Sequence, residues 1–422
     1  MTVMVAGAAE KVDHAPVATP RKGAANQALL YALAFTALPQ IIGSLSNPLA
    51  QNYLKNVLHI GPVTMSEFGA MIGAATYVVP FFGYLRDRWS PFRLGDRGYL
   101  VLAAPLVAAA CLIIALAPET YGPFLLGAIL FNLTLNMLGP VGDALYASVS
   151  REYKIQSKLA TAALLKGTVL GAVIFSAGGW LADHFEYRRF LFAYALLAVP
   201  LFLFGLWRPR LPAFGGDRSS IRIRRPVVGD LKVLVRHREF WIVAVFMAIW
   251  NFMPINEQVL YFLWQNHLHL SNQTIGNIKA VSAIANLPFI LGYAFMAQRY
   301  ETRKILLIAI LLSTFEYLPL LFAHGTASAY LSYVTVGLLG VVVSVALLDL
   351  LWRSSPSGLE GVSLSIATLI TGLFVTGSGI LGSWVLERYG YSSGFTIDVI
   401  IVAASSLVML PLIRLLPNTA PR

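Results

Sequence analysis

Two ionisable side chains lie inside long apolar stretches, where an isolated charge is costly. Asp143 precedes the basic residue Arg151 by eight positions, and Lys166 follows Lys158 by eight. Helical rise places both side chains about 12 Å from those basic ends. Equal depth on consecutive antiparallel helices favours an ion pair between Asp143 and Lys166. This pair either holds the helices together or interacts with a charged solute. In the second case Lys166 attracts an anion, and Asp143 releases it or exchanges a proton.

Amide side chains form polar stripes along three apolar stretches. Asn132, Asn136 and Asp143 share one helical face because they are spaced four and seven residues apart. The other two stripes flank a proline, which loosens the backbone hydrogen bonds of a helix. They contain Gln40, Ser44, Asn47 and Gln51 around Pro48, and Asn251, Asn256, Glu257 and Gln258 around Pro254.

Paired interrupted helices in two halves of a chain indicate a binding site near the bilayer midplane. The predicted substrate contacts are Asn47, Gln51, Asn132, Asn136, Lys166, Asn251 and Asn256. For each amide, hydrogen bonding between helices is the alternative role. Glu257 lies 19 residues after Arg238, near the outer end of its helix. It either reaches the lipid headgroups or, like Asp143, binds a coupling proton.

The elements that position these residues are transmembrane helices. The chain of 422 residues is 57% hydrophobic and 12% charged, which leaves too little polar surface for a soluble protein. Apolar runs long enough to cross about 30 Å of hydrocarbon recur along it. Twelve spans are predicted at 27–57, 67–85, 98–117, 122–148, 158–181, 189–207, 240–266, 275–297, 304–323, 328–352, 361–386 and 394–414.

Basic residues are distributed unequally between the two sides of the membrane. Of the 31 Lys and Arg residues, 25 fall in the tails and in loops on one side. The positive-inside rule therefore predicts that both termini are cytoplasmic, in a multi-pass protein of the inner (cytoplasmic) membrane. The same rule accounts for the basic run 218–225, so no nucleic-acid site is predicted. The first 26 residues show no pattern of a cleavable signal peptide.

Three pairs of segments repeat between the halves of the chain. GGWLADHFEY from Gly178 matches GSWVLERYGY from Gly382, and NVLHIGPVTMSEFGAM from Asn56 matches NHLHLSNQTIGNIKAV from Asn266. DALYAS from Asp143 matches DLLWRS from Asp349. Internal repeats predict an all-α protein of two six-helix bundles related by pseudo-symmetry. The predicted boundaries are tail 1–26, bundle 27–207, basic linker 208–239, bundle 240–414 and tail 415–422.

The loop GYLRDRWSPFRLGDRG, from Gly83 to Gly98, resembles the signature loop of the major facilitator superfamily. The resemblance implies the major facilitator fold and a loop that controls conformational exchange through Gly83, Asp87 and Arg88. A carboxylate at Asp87 is suited to accept hydrogen bonds from a neighbouring helix start and to pair with an arginine. The alternative is a plain solvated turn.

Three further segments are similar to the folate-biopterin transporter branch of that superfamily. They are GDALYAS from Gly142, GGWLADH from Gly178 and DLLWRSSPSGLEG from Asp349. This branch also has relatives proposed as assembly factors for photosynthetic pigment complexes. The resemblance therefore leaves open both a carrier and a protein that moves nothing.

The residue patterns favour a secondary active transporter over an enzyme. No nucleotide, zinc or phosphate-loop motif occurs, and the single Cys111 indicates packing, so no cofactor or metal is predicted. The prediction is a monomer that moves a small organic, folate- or pterin-like and anionic solute by alternating access, with proton symport or exchange. The alternative is a transporter-shaped assembly factor or sensor, whose functional surface would face lipid.

Overall fold

A computed structural model describes residues 22–153, 155–207, 234–356 and 360–416. Every regular element in these ranges is helical. Most of the predicted N-terminal tail, of the basic linker 208–239 and of the C-terminal tail lies outside the described residues. The predicted boundaries of the two bundles therefore stay predictions.

The first half of the described chain forms helices α1 to α9. Their bounds are α1 (Lys22–Ser44), α2 (Asn47–Asn56), α3 (Pro62–Gly73), α4 (Val79–Arg88), α5 (Arg97–Leu116), α6 (Tyr121–Tyr153), α7 (Gln156–His184), α8 (Tyr187–Ala195) and α9 (Ala198–Leu206). A short 3-10 segment, Ala74–Val78, joins α3 to α4.

The second half forms helices α10 to α16. Their bounds are α10 (Arg238–Trp250), α11 (Glu257–Phe262), α12 (Asn272–Ala285), α13 (Leu287–Arg299), α14 (Thr302–Ser313), α15 (Thr326–Ser354) and α16 (Glu360–Leu412). Leu263–His267 continues α11 as a π-helical turn, and Leu318–Phe322 is a 3-10 segment after α14.

Ten helical stretches of the described chain are long and apolar enough to cross a membrane. Two features relate this number to the twelve predicted spans. The seventh predicted span is divided between α10 and α11, and neither piece is long enough alone. The last stretch, Ile366–Leu415, is one run of 50 residues that breaks at Gly390, where φ is 78° and ψ is 174°. The structure is thus consistent with twelve spans.

The alternating direction of the helices defines two sides of the molecule. The terminal side holds the start of α1 and the loops 89–96 and 300–301. The far side holds the loops 57–61 and 268–271 and the break at Gly390.

The backbone repeats between the halves, which confirms the internal repeat. His59 and His269 both have φ of 52°, an uncommon conformation for a residue with a side chain. Each lies on the far side, within the segments that match at an offset of 210 residues. The hydrogen bonds around them also correspond: Leu58 N to Tyr53 O (3.1 Å) with Leu268 N to Leu263 O (3.2 Å), and Ile60 N to Leu54 O (3.1 Å) with Leu270 N to Trp264 O (2.9 Å).

Two separate buried cores show how the bundles meet. The larger core fills the first bundle and continues through Val259, Leu260 and Ile275 into the far side of the second. The smaller core contains Phe240 and Leu347 and lies in the terminal-side half of the second bundle alone. The bundles therefore share a buried core on the far side, whereas the buried core of the described residues on the terminal side of the second bundle is its own.

Candidate transport pathway

The first and seventh spans are both interrupted, as their prolines predicted. α1 ends at Ser44, and α2 begins at Asn47 with Pro48 in its first turn. In the second half, α10 ends at Trp250 and α11 begins at Glu257. The residues that begin the second helix after each break, Asn47 and Glu257, line a cavity, and a broken helix at membrane depth is tolerated only beside protein or a cavity.

A far cavity of about 160 Å³ lies beside these breaks. Its polar lining includes Asn47 and Gln51 of α2, Asn132 of α6, and Glu257 and Gln258 of α11. Four of the predicted residues, Asn47, Gln51, Asn132 and Glu257, thus meet in one place. The apolar part of its wall contains Met65, Phe68, Phe124, Phe131 and Tyr187.

A central cavity of about 290 Å³ lies next along α1 toward the terminal side. Gln40 and Ser44 of α1, Thr168 of α7 and Asn286 line it. The polar stripe of the first span therefore lines both cavities in sequence order. Asn286, at the junction of α12 and α13, has a buried Oδ1 without a partner among the described residues and was not singled out from the sequence.

Lys166 joins the terminal-side end of this stripe. Its Nζ donates to Thr36 Oγ1 at 3.0 Å, and Thr36 is also hydrogen-bonded to the Tyr146 hydroxyl. Thr36 lies one helical turn before Gln40 on α1. Lys166 has no ion pair with a carboxylate in the described part of the chain.

The predicted ion pair between Asp143 and Lys166 is therefore absent from this conformation. α6 packs mainly against α5 and α7 mainly against α12, both also contact α1, and α6 and α7 contact each other little. A Cβ on Gly142 would lie only 2.8 Å from Thr36 Cγ2, so glycine lets α1 approach α6 closely. Equal depth in the membrane did not bring the two side chains together, because α6 and α7 are consecutive in the chain but are not each other's closest neighbours.

Asp143 is exposed and forms no hydrogen bond or ion pair with any described residue. It occurs on the same face of α6 as Asn132, which lines the far cavity. Asp143 lies eleven residues from Asn132, about three helical turns further toward the terminal side.

Glu257 is paired. Its Oε1 lies 3.3 Å from Lys279 Nζ, and Lys279 also lies over the ring of Phe175, 5.8 Å from its centroid. The carboxylate thus belongs to the far cavity and to the interface between α11 and α12. Its side chain is 55% exposed, so water reaches it in this conformation.

Four of the predicted substrate contacts lie outside the lining of the two cavities: Lys166, which contacts Thr36, and three asparagines. Asn256 Oδ1 accepts from Val259 N at 2.9 Å and so caps α11, while its Nδ2 donates to Ser66 Oγ at 3.3 Å. Asn251 Nδ2 donates to the carbonyl of Met247 at 2.8 Å. Asn136 Nδ2 donates to the carbonyl of Asn132 at 2.9 Å.

The signature loop is held by a pair that the sequence analysis did not single out. Arg86 Nε and Nη2 donate to Asp96 Oδ1 and Oδ2 at 2.9 and 2.8 Å, a two-point contact. Gly83 lies on the face of α4 toward α6, where an added Cβ would be 3.8 Å from Pro140 Cβ. The side chains of Asp87 and Arg88 lie outside the described part of the structure.

Two buried carboxyl groups in the second bundle were also missed. Glu316 and Asp398 are 1% and 0% exposed. Glu316 Oε2 and both carboxyl oxygens of Asp398 have no hydrogen-bond partner in the described residues. Both lie inside predicted spans, so the rule that singled out Asp143 and Lys166 applies to them equally.

Hydrogen bonds between the bundles, where both residues are described, lie on the far side. Examples are Lys55 Nζ to Gln265 Oε1 at 2.7 Å, and the Ser66 and Ser383 hydroxyls at 2.6 Å. α7 packs along α12 over a long contact, whereas the next helix, α13, packs against α15 of its own bundle. Among the described residues, the hydrogen bonds that close the polar cavities between the bundles are therefore on the far side.

Two pseudo-symmetric helical bundles joined on one side of a polar cavity define a membrane transporter fold. The sequence profile of the Major Facilitator Superfamily matches residues 28–376. The chain belongs to that superfamily.

Relatives and solved structures agree with this assignment. The chain is 22% identical over 377 residues to the multidrug resistance protein MdtG of Klebsiella pneumoniae (strain 342), covering 86% of this chain and 88% of the relative. It is 23% identical over 397 residues to the folate-biopterin transporter of Synechocystis sp., covering 88% and 78%. The crystal structure of the nucleoside transporter NupG (D323A mutant) superposes with a TM-score of 0.70 at 15% identity, covering 92% and 99%.

The family and the fold together describe a multi-pass integral membrane transporter, and not an enzyme. Its environment is the lipid bilayer, and its ligand class is a small molecule. The weaker likeness to the folate-biopterin branch is present as a distant similarity.

Proposed function

We propose that the protein is a secondary active transporter that moves a small organic solute through the far and central cavities by alternating access. The observation that carries this proposal is the polar stripe Gln40, Ser44, Asn47 and Gln51, which lines both cavities between the bundles. A continuous polar lining is what a solute needs to leave water and cross the hydrocarbon core.

An anionic solute is supported by the surroundings of Lys166. Its ammonium group contacts a hydroxyl, and no carboxylate in the described residues neutralises it. Such a charge at the end of the polar stripe attracts an anion. One relative carries the name of a folate and biopterin transporter, which is in keeping with a folate- or pterin-like substrate.

Coupling to a proton, by symport or exchange, is the energy source that we propose. Asp143 supports it because this carboxylate is exposed, shares a helical face with the cavity-lining Asn132 and has no ion pair among the described residues. Glu257 is the second candidate, because it lines the far cavity and pairs with Lys279 at a lysine-to-carboxylate distance of 3.3 Å. We further propose that the protein acts as a monomer in the cytoplasmic membrane with both termini in the cytoplasm.

The proposal is tested by ligand screening followed by uptake into liposomes. Pools of folates, pterins, nucleosides, sugars, peptides and organic acids are screened for a rise in thermal stability, since a ligand stabilises the state it binds. The hits are then tested for uptake with and without a proton gradient. We expect Lys166→Ala to weaken apparent affinity by roughly 10- to 150-fold, the value of a hydrogen bond to a charged group.

A matched control is Lys304→Ala, because Lys304 is exposed and pairs with Glu301 on the terminal side. It should leave affinity and uptake unchanged. Unchanged kinetics in both Lys166→Ala and Asp143→Asn would remove these residues from the mechanism. Folded protein that binds and transports nothing in the pools would favour the assembly-factor or sensor function instead.

A further inference from the structure

Asp183, in the last turn of α7, contacts the first turn of α12 in the other bundle. Its Oδ1 accepts from Asn272 N at 3.1 Å and from Asn272 Nδ2 at 2.8 Å, and its Oδ2 accepts from Gln273 N at 2.7 Å. The N-cap residue Ser271 serves the next amide, Thr274 N, at 3.1 Å. Asp183 therefore completes the cap of a helix that belongs to the opposite bundle.

Glu387, just before the break at Gly390, makes the equivalent contact in the other direction. Its Oε1 accepts from Val63 N at 2.9 Å in the first turn of α3. The N-cap of α3 is Gly61, which has no side chain to bond a free amide. Glu387 supplies the acceptor that α3 lacks in its own sequence.

These two contacts are related by the internal repeat. Asp183 and Glu387 are 204 residues apart, at the matching acidic position of GGWLADHFEY and GSWVLERYGY. Their amide partners, Val63 and Gln273, are 210 residues apart in the other matched pair of segments. The internal repeat thus places an acidic residue of each bundle at a helix start of the other bundle.

The placement of both acids has an electrostatic reason. A carboxylate in the last turn of a helix is disfavoured by that helix's own dipole, whereas a carboxylate at a helix start is favoured. The carboxylates of Asp183 and Glu387 are therefore stabilised by a helix start only while the bundles are together on the far side. We propose that they are a matched pair of positioning residues, a two-part latch that holds the far side closed and is released when the far side opens.

The latch rests on the proposed alternating access for its role, but it is tested without any substrate. Spin labels at Thr120→Cys and His324→Cys, exposed far-side loop positions of the two bundles, report the distance between them in a Cys111→Ala background. Asp183→Ala and Glu387→Ala should each raise the ratio of far-side-open to closed molecules by about two- to thirtyfold, the value of a lost cap. The double variant should exceed both single variants.

A third variant reaches the same contact without changing an acid. A Cβ on Gly61 would lie 2.6 Å from Glu387 Oε1, so Gly61→Ala should displace the carboxylate and open the far side as Glu387→Ala does. Glu186→Gln is the matched control, since Glu186 is a far-side acid that pairs within its own bundle with Arg189. It should leave the distances unchanged.

The outcomes separate the latch from a plain stabilising cap. A lower melting temperature with unchanged distances in the double variant would overturn the proposal. If an alanine variant fails to fold, Asp183→Asn and Glu387→Gln keep the volume and remove the charge, and their distances decide in the same way. Failure of the latch would leave the proposed transport untouched, and failure of transport would leave the measured distances standing.

Discussion

Two interfaces join the bundles on the far side, α7 with α12 and α16 with α3, and the internal repeat relates one to the other. Asp183 accepts three hydrogen bonds at the first interface, whereas Glu387 accepts one at the second. The repeat therefore sets where each acid lies, and the local side chains set how many donors it finds.

The difference in donors has a covalent cause. Pro62 occupies the position of α3 that corresponds to Asn272 of α12. Proline has no amide hydrogen, so Glu387 lacks the backbone donor that Asp183 receives from Asn272. It also lacks the side-chain donor of that asparagine.

The helix contacts differ in a second way. Gly276 lets α12 approach α7 so closely that an added Cβ would overlap the carbonyl oxygen of Phe175. Its counterpart Ser66 instead bonds the Ser383 hydroxyl at 2.6 Å. One interface is built by backbone approach and the other by side-chain hydrogen bonding, so they should respond differently to substitution.

The largest effect is expected from locking the α16–α3 interface. Ser66→Cys with Ser383→Cys, in a Cys111→Ala background, should form a disulfide, because the hydroxyls that the thiols replace are 2.6 Å apart. We expect complete loss of uptake and a single closed far-side distance, both reversed by reductant.

Each single cysteine variant serves as the control for that lock and should retain uptake. Normal uptake by fully cross-linked protein would show that these helices never separate during transport. That result would contradict the equivalence of the two interfaces, because only the α7–α12 interface could then open during transport.

The second prediction compares the loss of a close backbone contact at one interface with the loss of a hydroxyl hydrogen bond at the other. Gly276→Ala should force α7 and α12 apart and move most molecules to the far-side-open distance, since overpacking a close contact costs about 1–3 kcal/mol. Ser383→Ala removes one hydrogen bond, the one with the Ser66 hydroxyl, and should shift the same ratio by at most about tenfold. Gly292→Ala is the control, because a Cβ there has nothing within 4 Å. Equal effects of Gly276→Ala and Ser383→Ala would remove the distinction between the interfaces.

The sequence was sufficient for the fold, because apolar length and repeated segments are properties of the chain itself. The interruptions near Pro48 and Pro254 were predicted for the same reason. Asn47, Gln51 and Asn132 were singled out from helical spacing and all line the far cavity, whereas their role in binding a substrate stays a prediction.

Contacts between distant segments were beyond the sequence. The pair of Asp143 with Lys166 was inferred from depth, but packing inserted Thr36 of α1 as the lysine's partner. The repeated acids at 183 and 387 were visible as a pattern, yet only the folded chain shows that each one meets a helix start of the other bundle.

The third prediction compares the two acids directly. Asp183→Ala should raise the far-side-open ratio about tenfold more than Glu387→Ala, since it removes two further hydrogen bonds worth about 0.5–1.5 kcal/mol each before the partners regain water. The measurement is the distance between labels at Thr120→Cys and His324→Cys. Glu119→Gln is a useful control, because Glu119 pairs with Arg188 inside the first bundle. A larger effect of Glu387→Ala would contradict the donor count as the source of latch strength.

The smallest effect is expected from a substitution that makes the Glu387 contact resemble the Asp183 contact. Pro62→Ala restores a backbone amide beside Glu387, which should lower the far-side-open ratio by about two- to tenfold. Loss of a proline also loosens the unfolded chain and lowers thermal stability. The distance ratio is free of that effect because both of its states are folded. In a Glu387→Ala background the same substitution should leave the ratio unchanged, because the new donor then has no acceptor across the interface. A shift that persists in that background would mean that Pro62 acts through the shape of α3. The missing amide hydrogen would then no longer explain why the Asp183 and Glu387 contacts differ.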